Sequence, residues 1–394
     1  MSTIQFQQVV VPEGVIDLGV GQPNNAILPL DYIRRAAEMQ FNDSSEFLQY
    51  GAEWGDGYHR LALGEYLTTA YGTPVSPEQL FSTNGNSQAL EMLCTVVTTP
   101  GDVVIVEEPT YFLAFQVFRD HGLEIRAVPI DDDGLVVEAL TDAVAAIRRE
   151  GKRVAFAYTI PAFQNPTGVT MSARRRLELV AAAQADEVLI VADEVYHLLR
   201  FAPGVMPPAM SAYVDDGPIL SIGTFSKILA PGMRLGWIHG STQRLAALAD
   251  SGLILSGGGL NPVTSSLSTA MMRMGWQDEY VEWLRATFAR RSATMIAALR
   301  HHMPDWVEYD IPAGGYFVWL RLPKGADGAA LRAIAKQHGV DVRHGAQFSP
   351  TGALGNHIRL SYAFYDDADI AEGVARLGDA LRSTPSAAAT NVLQ

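Results

Sequence analysis

The chain has one cysteine, Cys94, in 394 residues, which excludes an intrachain disulfide and any multi-cysteine metal site. Cys94 lies in the apolar stretch LEMLCTVV, where a buried structural thiol is expected rather than a nucleophile. Positive charge is also scarce: 29 Lys and Arg stand against 43 Asp and Glu, a net charge of −14. Nucleic acid is thereby excluded as a principal partner, because phosphate backbones need a basic face. The one basic cluster, Arg174–Arg176, falls where a helix should begin and is expected on a solvated face. No apolar run reaches the length of a membrane span, and the N-terminus MSTIQFQQVVVPEG lacks the basic region and apolar core of a signal peptide. A cytoplasmic protein without a membrane partner is the expectation. The nine histidines form no HExxH or other close-spaced set, so no catalytic metal is expected. There is no GxSxG elbow, no strand-GxGxxG-helix order and no internal repeat.

What is present is ordinary globular material, 48% hydrophobic and 18% charged, of a length suited to two or three domains. From about residue 80 onward, short apolar runs alternate with helical patterns. The expected strands are Asp102–Val106, Glu124–Val128, Val154–Tyr158, Val188–Ala192 and Ile219–Ile222; helices are expected over Ser87–Thr98, Tyr111–His121, Leu135–Arg149 and Ser172–Asp186. This alternation predicts an α/β fold, a mainly parallel sheet covered by helices on both faces. We divide the chain into an N-terminal arm (1–45), a large α/β domain (46–275), a smaller α+β domain (276–383) that opens with a long helix over Asp278–His302, and a disordered tail (384–394).

The stretch ILSIGTFSKILAPGMRLGW, Ile219–Trp237, places a single lysine, Lys227, among aliphatic neighbours. A lysine in apolar surroundings has a lowered pKa and can act as a neutral amine toward a carbonyl. Thr224 and Ser226 before it and Arg234 after it suit a phosphate held near an imine. Because ligands of open α/β sheets sit at the carboxyl ends of strands, the residues after each apolar run come next. Asp193-Glu194-Val195-Tyr196 offers an acid able to pair with a protonated heterocyclic nitrogen, or equally a helix cap. FQNPTG contains a turn in which proline and glycine are explained and Asn165 is not. STNGNSQAL can open a helix whose N-terminus holds an anion, or simply a capped one. Glycines in LGVGQPN let a backbone approach a ligand closely.

Taken together and in this order, LGVGQPN, NGNS, EEPTYF, FQNPTG, DEVY, TFSK with Arg234, and HIRLSYAF resemble the class I/II aminotransferases of pyridoxal-phosphate fold type I, nearest the kynurenine/2-aminoadipate aminotransferase-like branch. The resemblance covers nearly the whole chain. It implies the seven-stranded-type sheet of that fold and pyridoxal 5′-phosphate as cofactor, held on Lys227 as a Schiff base. Asp193 would meet the pyridinium, while Tyr196 and Asn165 would reach the ring hydroxyl. Tyr111 would stack on the ring, and Gly85, Asn86, Ser87, Thr224, Ser226 and Arg234 would surround the phosphate. Tyr50 would serve the cofactor of a neighbouring subunit, which implies a homodimer. Substrate residues would be Arg359 for the carboxylate, with Asn165 and Gly21 beside it; Arg343 and Arg321 are rivals for the carboxylate. The implied reaction moves the amino group of an α-amino acid to a 2-oxo acid, with Lys227, Asp193 and Tyr196 catalytic. The same scaffold also supports elimination, replacement, carbon–carbon bond formation or oxidation. A regulator joining such a domain to a DNA reader is the third reading, disfavoured by acidic charge and by the short stretch before Tyr50.

Overall fold

The computed structural model describes residues 8–202, 204 and 206–383; the expected disordered tail and the first seven residues of the arm lie outside the described residues. A short strand, β1 (Ile16–Asp17), is followed by β2 (Leu80–Thr83), β3 (Val103–Glu108), β4 (Glu124–Asp131), β5 (Gly134–Leu135), β6 (Val154–Thr159), β7 (Ile190–Asp193), β8 (Ile219–Thr224) and β9 (Gly236–His239). Eight of these form one sheet in the order β2-β9-β8-β7-β6-β3-β4-β5. The run from β8 to β4 is parallel. β9 lies antiparallel between β8 and β2, and β5 turns back antiparallel on β4.

The expected α/β class therefore holds, with eight strands in place of seven. The extra strand, β5, takes Leu135, so the helix expected from Leu135 starts at Val137. The helix expected from Tyr111 starts at Ala114, which leaves Tyr111 in the preceding turn. β8, ILSIGT, is buried along its whole length, as suits an interior parallel strand covered on both faces. The parallel direction brings the carboxyl ends of β3, β6, β7 and β8 to one edge of the sheet, where Glu108, Thr159, Asp193 and Thr224 are the final residues.

The later strands are β10 (Glu308–Tyr309), β11 (Phe317–Arg321), β12 (Val340–Asp341), β13 (Arg343–His344) and β14 (His357–Ser361). A four-stranded antiparallel sheet runs β10-β11-β14-β13, while β12 pairs in parallel with β1. The long helix, Trp276–His302, packs with the last one, Asp367–Ser383. Through β1 the N-terminal segment is stitched to the smaller sheet, and Ser361 N donates to Leu18 O at 2.6 Å.

One local expectation is overturned. Only Arg174 of the basic cluster is exposed, engaging Asp133 and Glu178. Arg175 is buried against Asp131 and Leu135 O, and Arg176 is fully buried, donating to the carbonyls of Met171, Pro161 and Pro208. These arginines tie loops together, using a planar fork to satisfy several carbonyls at once. The glycine-rich segment SGGGLNP is closely packed as well: Gly259 bridges to Gly51, and a Cβ on it would stand 1.8 Å from Ala52 O. Only glycine allows that backbone approach.

Cys94 is buried as expected, its thiol pushed up to about 12 by burial. Three histidines, His59, His197 and His239, are also buried, and burial lowers them to about 4, 3 and 4. Their folded pKa values lie below the ordinary 6.5, so the unfolded chain binds more protons in that interval and stability declines as pH falls from about 6.5 toward 4. His239 has neither ring nitrogen hydrogen-bonded among the described residues. Thermal melts should therefore show His239→Leu losing less melting temperature than the parent between pH 7 and pH 4.5; an equal loss would remove His239 from this account.

Candidate active site

Lys227 lies in the turn after β8, where the chain leaves the sheet edge. Its side chain is partly buried, and Nζ donates to Gly21 O at 2.9 Å, with the Tyr316 ring centroid 5.4 Å away. Burial, then the positive charge of Arg359, brings the amine down to about 8; Asp193 opposes them and Arg234 adds to them. Desolvation thus prepares a neutral nucleophile near physiological pH.

Asp193, the last residue of β7, is 4% exposed. Its Oδ1 accepts from Asn86 Nδ2 at 2.6 Å and its Oδ2 from Tyr158 OH at 2.7 Å. Burial pushes the carboxyl up to about 6, against the lowering effect of those two donors. Glu194 points away: it accepts from Met210 N, Ser211 N and Ser221 Oγ, fixing a neighbouring loop.

Beside Asp193 the loop before helix Asn86–Val97 meets the turn of Lys227. Arg234 NH2 donates to Asn84 O at 3.0 Å and NH1 lies 3.5 Å from Ser226 Oγ. Thr224 Oγ1 lies 3.0 Å from Ser226 Oγ. Gly85 has φ +83°, which favours glycine, and a Cβ there would stand 3.0 Å from Arg234 NH2. Hydroxyls, a guanidinium and a helix N-terminus thus converge, a donor set suited to a phosphate dianion. Ser87 is at the exposed start of that helix.

Arg359 on β14 is 4% exposed. NH1 donates to Asn165 Oδ1 at 2.9 Å and NH2 to Gly19 O at 2.7 Å, while its Cζ lies 4.1 Å from the Phe317 ring centroid and 5.0 Å from that of Phe348. Burial lowers it to about 10. Gly21 sits between the two cations: its carbonyl holds Lys227, and a Cβ there would stand 3.5 Å from Arg359 NH2. Tyr196, also buried, packs on Tyr316 and Phe317, and Tyr111 is partly buried with its hydroxyl pushed up to about 12 by burial and then by Asp193. Of the rivals for the carboxylate, Arg343 is paired across the strands with Arg359 but is engaged by an acid, and Arg321 lies apart. Arg321 is exposed beside Glu308, and Arg343 faces Asp17 at 3.3 Å. Tyr50 is 83% exposed and is not among the residues these contacts gather.

Several participants escaped the sequence reading. Tyr158 is a phenol inside an otherwise apolar buried strand, a detectable signal because a buried phenol needs a partner. Glu107 is 1% exposed, and burial pushes it up to about 6; it accepts from Thr159 Oγ1, from Ile160 N at 3.1 Å and from Gln164 Nε2 at 3.2 Å. Gln164 also donates to Pro109 O at 2.6 Å, tying the loop of Tyr111 to that of Asn165. The carbonyls of Gly19 and Gly21 act through backbone position, which residue identity does not reveal.

The family description "Aminotransferase class I and II" matches residues 13–377. The chain belongs to that family. The aminotransferase is 33% identical to aromatic-amino-acid aminotransferase 1 of Thermococcus litoralis, over 96% of this chain and 90% of that protein. It is 32% identical to 2-aminoadipate transaminase of Thermus thermophilus, over 94% of this chain and 90% of the other. A solved kynurenine aminotransferase of Pyrococcus horikoshii, in complex with PMP, superposes with a TM-score of 0.87 at 32% identity, covering 94% of this chain and 91% of that one.

The cofactor of this PLP-dependent transferase is pyridoxal 5′-phosphate. The residues present fit it. Among the described residues, Asp193 is a buried carboxylate with no cation in contact and Arg359 Nε is a buried donor without a protein partner. A protonated ring nitrogen would complete the Asp193 carboxylate, and an anion would complete the Arg359 guanidinium.

The lowered Lys227 pKa has a stability cost in the cofactor-free protein. Its unfolded amine titrates near 10.5 and its folded amine near 8, so stability rises with pH across that window and the full penalty applies below it. Lys227→Met should therefore raise the stability of the cofactor-free protein at pH 7 by on the order of 3 kcal/mol. Melts at pH 7 and pH 10.5 check this: the gain should largely vanish at the higher pH, and a gain equal at both would contradict it.

Proposed function

We propose that this aminotransferase uses Lys227 both to carry its cofactor and to move protons, with Arg359 as the anchor for the substrate's α-carboxylate. The observation that carries this reading is the confinement of one depressed-pKa amine with one buried guanidinium around the same Gly21 gap. When bound, pyridoxal 5′-phosphate supplies an aldehyde carbon that captures amines and a ring that accepts the electron pair left at the substrate's α-carbon. Lys227 would hold the cofactor and, with its amine free, would be the group that takes up and gives back the proton at the substrate's α-carbon. Asp193 holds a proton on the ring nitrogen through its charge. Asn165 and Tyr196 serve the ring hydroxyl and Tyr111 covers a face. Thr224, Ser226, Arg234, Asn86 and Ser87, with the turn at Gly85, hold the phosphate.

Arg359 presents a planar fork already oriented by Asn165 and Gly19, so a carboxylate replaces protein acceptors instead of ordering a mobile side chain. Amino donors of aromatic or 2-aminoadipate type are the first candidates, from the relatives' names, with a 2-oxo acid as acceptor. Elimination or oxidation on the same scaffold finds no support among them. We read residues 46–275 as the cofactor-holding domain and 276–383 as the smaller one, in a cytoplasmic homodimer whose second copy supplies Tyr50. Exposed Leu48 and Tyr50, joined through the Gly51–Gly259 bridge to the segment bearing exposed Leu253 and Leu255, support such an apolar contact.

Incubation of the loaded enzyme with single amino acids plus 2-oxoglutarate should yield new amino acid and 2-oxo acid in equal amounts; ammonia or peroxide as the main product would reject transamination. Arg359→Lys should keep the cofactor while raising KM for the amino acid by roughly tenfold or more, because an ammonium cannot replace the bidentate fork. An unchanged KM would move the carboxylate site elsewhere.

A further inference from the structure

We propose that Tyr158 is a positioning residue for the cofactor, its hydroxyl keeping the Asp193 carboxylate ionised and turned toward the ring nitrogen. The inference rests on the reading of Asp193 as the partner of that nitrogen.

Tyr158 lies on β6 beside β7, with Tyr158 in register with Val191 and Thr159 with Ala192. It is fully buried, its ring meeting Phe118 edge-on at 5.9 Å. Phe156, two residues earlier on the same strand, is equally buried without a polar tip, so packing alone does not call for a phenol. The hydroxyl donates to Asp193 Oδ2 at 2.7 Å, leaving Oδ1 to Asn86. Two fixed donors from different elements, one on the sheet and one at a helix start, define the carboxylate plane. Each oxygen retains acceptor capacity for a further donor.

The electrostatic setting makes this hydrogen bond consequential. Burial opposes the charge on Asp193 more than any other effect, and Glu194 adds repulsion from the next position; Tyr158 leads the effects that restore ionisation. Glu107 from β3 and the hydroxyls of Tyr111 and Tyr196 also face the carboxylate, and Lys227 is the nearby cation. Glu194 is occupied by its own three donors, so it does not compete for Tyr158. Burial and then Asp193 hold the phenol's pKa well above its ordinary value, so it stays protonated and remains a donor throughout the working range. Without that donor, Asp193 would be protonated over part of the range in which a protonated ring nitrogen needs a counter-charge.

Tyr158→Phe keeps the ring and removes the hydroxyl. In the cofactor-free full chain, carbon-13 titration of the Asp193 carboxyl, assigned with Asp193→Asn, should move upward by about one unit in Tyr158→Phe. Pyridoxal phosphate affinity, followed by fluorescence from pH 5 to 8, should weaken about fivefold near pH 6 and recover toward pH 8. In an Asp193→Asn background the same tyrosine change should leave affinity unmoved, since no charge remains to be held. An unshifted titration, or an equal loss of affinity in both backgrounds at all pH values, overturns the proposal and leaves Tyr158 a packing residue. A shifted titration with an unaltered affinity profile upholds the tyrosine's hold on Asp193 and rejects Asp193 as the ring-nitrogen partner, the two failures being thereby separable.

Discussion

Three ionisable groups withdrawn from water, with no ion-pair partner among the described residues, set the character of this site. Lys227 leans on a carbonyl, Asp193 on an amide and a phenol, and Arg359 on an amide oxygen and a carbonyl. Neutral dipoles of this kind hold a charge in place without cancelling it. In a region of low dielectric, that leaves each group strongly responsive to an incoming partner of opposite sign. Each pKa is displaced in the direction that burial dictates: the amine and guanidinium down, the carboxyl up. The site's poise depends on that withdrawal, and so does its cost to the fold.

The rest of the architecture maintains the arrangement. Parallel strands β3, β6, β7 and β8 deliver their final residues to one edge, a placement that follows from crossover topology and not from any individual side chain. Glu107 and Gln164 join two of the emerging loops, and Arg176 ties two carbonyls of the loop after β6, those of Pro161 and Met171, to Pro208 O of the loop after β7. The fourth side is supplied from far along the chain. β1 is held by β12, Asp17 is engaged by Arg343, and the carbonyls of Gly19 and Gly21 are thereby presented to Arg359 and Lys227. The N-terminal segment therefore contributes through its backbone, where a side chain would obstruct.

Much of the site was legible in the sequence because its residues occupy strand ends and turns in short patterns. Lys227, Asp193, Asn165 and Arg234 are of this kind, and the fold class followed from alternating apolar runs. Contacts between distant segments were not legible. Tyr158 and Asp193 are 35 positions apart and Gly21 and Lys227 are 206 apart, and no local pattern records such meetings. Arg175 and Arg176 were misplaced on a solvated face because their charge is visible in the sequence, whereas the carbonyls they satisfy become available only in the folded loops. Tyr111 was assigned to a helix start that lies three residues later, an ordinary boundary error where a turn precedes the first helical residue.

The central claim is that one enclosed lysine carries the cofactor. The chain has four lysines, Lys152, Lys227, Lys324 and Lys336; Lys324 and Lys336 are exposed and Lys152 engages Glu124 at 2.7 Å. Borohydride reduction of the loaded enzyme followed by peptide mapping by mass distinguishes among them directly. The account predicts the reduced cofactor on the peptide carrying Lys227 alone. Its recovery on any other lysine, or on none, would contradict it.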